Sequence, residues 1–156
     1  MDSFALALND ILVEAYHNIL HCEEEALRQN AKTALSINEI HLIDCVSKHN
    51  GEGRPVSPLA GDLSISRPSA TVAVTKLVKK GYLKKLNCQN DGRVVRVRLT
   101  AEGCRINDSH HRYHLKMVQA LTEIFTEEEK HCLMRGIEKL NLLFDQKTLD
   151  FFVEES

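Results

Sequence analysis

The feature that most constrains the fold is a series of short elements between residues 57 and 99. Ser57, followed by proline at the first helical position, predicts a helix of about two turns. After a tight turn, Ser66 caps a longer helix that ends before Gly81, a typical C′ residue. Alternating apolar residues on both sides of the turn 89–92 then predict a β-hairpin. A short helix, a tight turn, a longer helix and a basic hairpin make a winged helix-turn-helix.

Helices are predicted on both sides of this region. Apolar residues spaced three and four apart indicate a long first helix, and Ser36 with Glu39 forms a capping box that begins a second. Thr100 begins a long helix that reaches about residue 124, and Thr126 with Glu129 caps a last helix. The expected fold class is therefore mainly α with a small β wing.

Charge is distributed unevenly along the chain. The formal net charge is only −2, yet nine basic residues and one acidic residue lie between positions 64 and 98. Such a block concentrates positive potential on one surface, as nucleic-acid-binding proteins do, although a solvated helix and hairpin can carry the same bias. The basic residues are Arg67, Lys76, Lys79, Lys80, Lys84, Lys85, Arg93, Arg96 and Arg98.

The helix that follows Ser66 has two distinct faces. Apolar residues recur at i, i+3, i+4 and i+7, from Ala70 to Leu77, and can pack on the preceding helix. The opposite face is short and polar, which lets the helix enter a major groove about 12 Å wide. A small helical bundle with Ser and Thr on its surface is the alternative. The residues predicted to contact DNA here are Ser66, Arg67, Ser69, Thr71, Val72, Thr75 and Lys76.

Three motifs stand at the end of this helix and in the hairpin: LVKKGY at 77–82, DGRVVR at 91–96 and LTAEG at 99–103. Together they resemble the MarR family of bacterial transcription regulators, whose wing motif is D-x-R-x-x-R. The resemblance implies a homodimer with two winged lobes. It places Arg93 in a minor groove, where a guanidinium group suits the negative potential. It also implies that Asp91 and Arg96 brace the wing tip, because a carboxylate orients an arginine better than it faces phosphate.

The first and last helices carry apolar stripes that the DNA-binding region does not need. A second copy of the chain would bury both, although each stripe can instead fold onto its own chain. A twofold dimer reads half-sites about 34 Å apart, so we expect a pseudo-palindromic operator. The expected segments are 1–34, an N-terminal dimerisation helix and loop; 35–99, the winged helix-turn-helix DNA-binding lobe; and 100–156, a long linker helix and C-terminal dimerisation helix.

The function that these patterns predict is a sequence-specific, double-stranded DNA-binding transcriptional regulator that a small effector modulates. Repression is the simpler default, because a bound dimer blocks transcription sterically. A winged-helix protein-interaction module without DNA binding is the alternative from another class, but it would not need nine basic residues around the helix and wing.

One possible effector is Zn(II). His110 and His114 are four residues apart and share a helix face, and imidazole with carboxylate ligands suits tetrahedral zinc. By position, four residues match the first metal site of the family's zinc-sensing branch, but Ile40 and Ser109 replace carboxylates of its second site. These histidines can alternatively make ordinary polar contacts. The four residues are Glu23, His41, His110 and His114.

A second possible effector is an acyl chain. The segment HHRYHLKMV at 110–118, with residues 37–48, is similar to the fatty-acid-synthesis repressor branch of the family. That resemblance implies an acyl group delivered on acyl carrier protein, which an apolar crevice between the second and fifth helices would suit. An unidentified small aromatic or lipid effector is another alternative. Cys22 stands somewhat as in the peroxide-sensing branch, but the acidic residues that follow disfavour its thiolate.

Other classes of protein are disfavoured by what the sequence lacks. The chain has five cysteines, an odd number, and no two are spaced as C-x-x-C. This disfavours a disulfide framework or a structural zinc site and favours reduced thiols in a cytoplasmic protein. No apolar run approaches the roughly 20 residues of a membrane span, and no signal-peptide pattern begins the chain. No nucleophile elbow, P-loop or metalloprotease spacing is present, so we do not expect an enzyme.

Overall fold

The computed structural model describes residues 2–29, 35–49, 51–86 and 95–145. The described chain forms two compact units, Met1–His110 and His111–Ser156, with the fifth helix running through both. The helices are α1 (Ser3–Gln29), α2 (Ile37–Ser47), α3 (Val56–Asp62), α4 (Arg67–Lys79), α5 (Ala101–Ile124) and α6 (Glu127–Asp145). The strands are β1 (Arg54–Pro55), β2 (Leu83–Leu86) and β3 (Arg96–Leu99). This confirms the expected fold class.

The hydrophobic core of the first unit lies where α2, α3 and α4 pack against the small sheet. Helix α2 contributes four buried aliphatic side chains, and α4 contributes Ala70, Val74 and Leu77 at the predicted spacing. From α3, Leu59 and Ala60 are buried, so a small residue lies where the two helices of the helix-turn-helix meet. The sheet therefore closes the core on the side of α4 that does not carry the polar face.

The sheet has three antiparallel strands in the order β1-β3-β2. Leu83 pairs with Leu99 and Leu86 pairs with Arg96, so β2 and β3 are the base of the predicted wing. Along β3 the burial alternates, with Val97 and Leu99 facing the core. The predicted hairpin turn at 89–92, with Asp91 and Arg93, lies outside the described residues.

Most predicted helix ends are confirmed. Ser36 and Glu39 form the capping box, with the Glu39 Oε2 atom 2.9 Å from the Ser36 amide nitrogen. The Ser66 hydroxyl accepts the Ser69 amide at the start of α4. Gly81 follows α4 with a φ of 82°, the left-handed conformation that glycine adopts without strain.

The predicted N-cap of α3 at Ser57 is wrong by two residues. The helix begins at Val56, and Pro55 occupies the N-cap position without a side-chain hydrogen bond. The reason is tertiary, since Pro55 pairs with Arg96 in the sheet and the Val56 amide donates to the Val95 carbonyl at 3.1 Å. The chain thus passes directly from β1 into α3.

The second unit contains the rest of α5 and all of α6. The Thr126 amide donates to Glu129 Oε2 at 2.8 Å and the Glu129 amide donates to Thr126 Oγ1 at 3.3 Å, which confirms the second capping box. Across the described ranges, no helix combines the length and the apolar character that a bilayer crossing requires. The predicted division at residues 34 and 99 into dimerisation and DNA-binding segments stays a prediction.

Candidate nucleic-acid interface

Helix α4 turns its polar face outward from the core. Arg67 stands at its first position, immediately after the Ser66 cap, and Val72 is 69% exposed although it is aliphatic. Lys76 is exposed on the same helix, while Thr75 is half-buried beside it. An exposed face of small polar residues with an arginine at the helix N-terminus matches what a major-groove reading helix requires. The structure exposes Ser66, Arg67, Ser69, Thr71, Val72 and Lys76.

The hydroxyl groups of this face are held by the helix itself. Thr71 Oγ1 donates to the Arg67 carbonyl at 3.1 Å, and Thr75 Oγ1 donates to the Thr71 carbonyl at 2.8 Å. A hydroxyl that donates to backbone still has lone pairs to accept a hydrogen bond from a base or a water. These side chains therefore present ordered acceptors at the surface of α4.

A groove of about 220 Å³ separates the exposed face of α4 from the wing side of the lobe. Arg67, Thr71 and Thr75 line it from the helix, and Lys85 lines it from β2. The helix and the strand thus present cationic and hydroxyl groups toward the same space. Lys84 on β2 is also exposed, so the base of the wing adds positive charge to this surface.

Two lysines of the basic block are paired with a buried glutamate, a feature that sequence analysis did not predict. Glu39 on α2 is 6% exposed. Lys80 Nζ lies 2.8 Å from Glu39 Oε1 and 2.9 Å from Oε2, and Lys76 Nζ lies 3.1 Å from Oε1. Burial raises the pKa of Glu39, but hydrogen bonds from Lys80, the Ser36 amide and Lys76 outweigh it and lower the pKa to about 2. Glu39 is therefore ionised at neutral pH.

Two arginines stabilise the junction between the wing and the helix-turn-helix. Arg54 of β1 forms an ion pair with Asp62 at the end of α3. Arg96 of β3 donates from Nη1 to the Gly53 carbonyl at 2.9 Å. Arg96, predicted to brace the wing tip, thus holds the loop before β1. Its predicted partner Asp91 and the predicted minor-groove residue Arg93 lie outside the described residues.

Three of the four predicted metal ligands meet in the first unit. The ligand atoms of Glu23, His41 and His110 all lie within 4.8 Å of one another. Glu23 is buried, with its two carboxylate oxygens 3.8 Å from His41 Nε2 and 3.9 Å from His110 Nε2. His114, the fourth predicted ligand, follows one turn later on α5 and is half-buried.

The donor set of this cluster fits a zinc ion. Zn–N and Zn–O bonds of about 2.0–2.2 Å place neighbouring tetrahedral ligands roughly 3.3–3.6 Å apart. Each imidazole lies a few tenths of an ångström beyond that spacing from a different oxygen of Glu23, and the three ligand atoms as a set lie within 4.8 Å of one another. The buried carboxylate and the two imidazoles are therefore near enough to share one ion after they move closer together.

The folded lobe with its exposed helix α4 and its antiparallel wing defines a winged helix-turn-helix protein. Residues 35–95 match the model of the MarR family. The HTH-type transcriptional regulator PchR of Bacillus subtilis is 25% identical over 90% of this chain and 91% of its own length. The uncharacterized HTH-type transcriptional regulator YhjH of the same organism is 27% identical over 76% of this chain and 77% of its own.

Solved structures agree with that assignment. FabT of Streptococcus pneumoniae, crystallised in complex with DNA, is 28% identical with a TM-score of 0.87, covering 91% of this chain and 98% of FabT. A Staphylococcus aureus MepR–DNA complex shares the fold at 17% identity and a TM-score of 0.71, covering 85% and 94%. The winged helix-turn-helix lobe at residues 35–95 thus matches the MarR family, and over most of its length the chain is similar to winged-helix transcriptional regulators.

Proposed function

We propose that two copies of this chain bind a pseudo-palindromic operator as a homodimer and repress transcription in response to a small effector. The observation that carries the proposal is the division of α4 into a buried apolar face and an exposed face of hydroxyl, arginine and lysine side chains. A helix of this kind, next to a cationic wing, suits insertion into a major groove. Two relatives of the same fold, FabT and MepR, are seen in complex with DNA, which supports the same ligand for this chain.

Contacts to DNA divide by their expected roles. Arg67, Thr71 and Thr75 lie on the outward side of α4 and are proposed to reach base edges. Lys84 and Lys85 on β2 are proposed to contact phosphates, which fix orientation without reading sequence. Arg93 is proposed to enter the adjacent minor groove, with Asp91 and Arg96 supporting the wing.

The homodimer is proposed because apolar side chains of the terminal helices stay exposed in one copy. On α1, Phe4 is 72% exposed and Ile11 is 62% exposed. On α6, Leu133 and Ile137 are exposed on the predicted stripe. Contiguous exposed apolar residues are characteristic of a surface that a partner covers. A twofold arrangement then places two lobes on successive half-sites.

The test of DNA binding is selection of bound fragments from the source genome, followed by titration of the selected operator at several salt concentrations. A protein that contacts several phosphates loses affinity steeply as salt rises. Sedimentation of the free protein and of the complex gives the number of chains bound. Salt-independent binding, or no enriched fragment, would favour the alternative of a protein-interaction module without DNA binding.

The effector is proposed to be an acyl-type ligand, presented on acyl carrier protein or as a free small molecule. Similarity to FabT, which is the fatty-acid-synthesis repressor, supports this choice. Adding acylated and unacylated acyl carrier protein to the operator complex tests it. A change in DNA affinity with the acylated form alone is the expected result; identical behaviour of both forms would contradict the acyl proposal. We propose that the protein acts by binding DNA and not by catalysis. We also propose that it acts in the cytoplasm, on the chromosome.

A zinc-responsive regulator is the second candidate function, which the convergence of Glu23, His41 and His110 favours. These residues, completed by His114, would hold the ion, and zinc would supply a fixed crosslink between helices. The test is elemental analysis of protein purified without chelator, together with zinc titration of wild type and His110→Ala. A stoichiometric ion that His110→Ala loses supports the candidate. Absence of metal and no effect of added zinc on DNA affinity would exclude it.

A further inference from the structure

We propose that Glu39 is a positioning residue for DNA reading, which holds Lys76 of α4 and Lys80 at the C-cap of α4 away from the DNA phosphates. The inference rests on the proposed DNA-binding function. The inference divides the lysines near the end of α4 into two classes. Lys76 and Lys80 are paired with Glu39, whereas Lys79 is exposed at the last position of the helix.

The Glu39 carboxylate is fixed in place by α2. Its Oε2 atom accepts the Ser36 amide in the capping box at 2.9 Å, so the side chain is held against its own helix start. The residue is 6% exposed, and the next residue along α2, Ile40, is buried in the core. A buried, oriented carboxylate is a stronger partner for an ammonium group than one on a flexible exposed stem.

Lys76 lies in the last turn of α4 and Lys80 is its C-cap, 37 and 41 residues further along the chain than Glu39. The Lys80 side chain is 27% exposed and donates to both carboxylate oxygens, which ties the end of α4 to the first turn of α2. The Lys76 side chain is 61% exposed and shares Oε1. Lys76 is therefore exposed enough to reach a DNA phosphate, but the Glu39 carboxylate competes for its ammonium group and holds it.

Two consequences follow for DNA binding. The ion pair between Lys80 and Glu39 fixes the orientation of α4 relative to α2. This favours the base contacts that α4 makes with its own operator sequence. The shared carboxylate also neutralises one of the two lysine charges, which lowers the attraction to any DNA sequence. Glu39 thus raises the ratio of specific to non-specific affinity, since non-specific binding is almost wholly electrostatic.

The test is Glu39→Gln in the full chain, titrated with operator and with unrelated DNA across a range of salt. Glutamine keeps the capping box, which accepts either residue, and removes only the charge. We expect the slope of log K against log salt to steepen by about 0.9, the contribution of one released phosphate contact, and the specificity ratio to fall roughly threefold or more. Asp44→Asn, which removes a charge paired with Lys48 on the same helix, is the matched control and should leave the slope unchanged.

A double-mutant cycle identifies the lysine involved. Lys76→Ala is expected to reduce the salt slope by about 0.9 more in the Glu39→Gln background than in the wild-type background. Equal effects in both backgrounds, or a Glu39→Gln slope equal to that of wild type, would overturn the inference. If wild type itself shows no salt-dependent DNA binding, it is the proposed function that fails.

A second variant keeps the inference testable if Glu39→Gln does not fold. Lys80→Gln removes the ion pair between Lys80 and Glu39 and keeps the ion pair between Lys76 and Glu39. We expect weaker operator binding with no reduction of the salt slope, because Lys80 acts through the carboxylate. A slope reduced by about 0.9 would show that Lys80 contacts phosphate directly and would refute its positioning role.

Discussion

Replacing Gly103 with alanine is expected to destabilise the lobe, although alanine favours helix. Gly103 lies buried in the first turn of α5, and a Cβ there would stand 2.2 Å from the Tyr82 carbonyl oxygen. That oxygen belongs to backbone and is held in place, since it accepts hydrogen bonds from the Thr100 amide at 3.0 Å and the Thr100 hydroxyl at 3.2 Å. Relief of the contact therefore requires α5 to move away from the start of β2.

The size of the effect follows from this geometry. The contact is about 1.2 Å shorter than an ordinary one of 3.4 Å, so the helix and strand must separate by roughly that amount. Overpacking costs about 1–3 kcal/mol or more, and here the cost is expected to be about 3 kcal/mol because the neighbour is backbone that cannot rotate away. Alanine in a helix offsets about 1 kcal/mol of it. We expect a net loss of about 2 kcal/mol in the free energy of unfolding.

Urea unfolding at one fixed protein concentration measures this loss. With a slope of about 2 kcal/mol/M, the midpoint should fall by roughly 1 M. Gly61→Ala on α3 is the matched control, because a Cβ at Gly61 meets nothing within 4 Å; it should be neutral or stabilising by up to about 1 kcal/mol. If Gly103→Ala unfolds at the wild-type urea midpoint, the close contact between α5 and the Tyr82 carbonyl does not limit the size of residue 103, and the prediction is refuted.

Three further predictions concern single side chains. Arg67→Ala should weaken operator binding by about 1–3 kcal/mol in a filter or fluorescence titration, while Arg105→Ala, which removes a charge on exposed α5, should have little effect; equal losses would contradict the assignment of α4. Arg93→Ala should weaken binding at least about tenfold while the protein stays dimeric, and wild-type affinity would refute the wing assignment. Burial raises the pKa of the Cys45 thiol, so alkylation at pH 8, followed by mass spectrometry, should modify Cys45 roughly tenfold more slowly than exposed Cys132 in the native protein and equally fast in denaturant.

The parts of the fold that sequence analysis predicted are those that neighbouring residues determine. Ser36 with Glu39, Ser66 with Ser69, and Thr126 with Glu129 each form bonds across three residues, so their patterns are visible in the sequence. The two faces of α4 were predicted for the same reason, because helical spacing alone separates its apolar from its polar side chains.

The parts that were not predicted depend on residues far apart in the chain. The pairing of β1 with β3 joins Arg54 to Val97, and this pairing moved the start of α3 to Val56. The Glu39 interaction with Lys80 spans 41 residues, and no local pattern marks it, because Glu39 already satisfies a capping box. The basic block predicted the sign of the surface but not which of its cations are paired within the lobe.

Helix α2 carries two ionisable residues that take part in longer-range contacts, Glu39 and His41, within its first turn and a half. Glu39 contacts the lysines of α4, and His41 contacts Glu23 together with His110. At about 100° per residue, positions 39 and 41 lie roughly 200° apart, so they engage opposite sides of the helix. If zinc binds Glu23 and His41 as proposed, it would draw His41 toward Glu23 and so move the same helical turn that contacts the lysines of α4. Because such coupling is reciprocal, DNA that stabilised one position of α4 would then change the affinity of the cluster for zinc by the factor by which zinc changes the affinity for DNA.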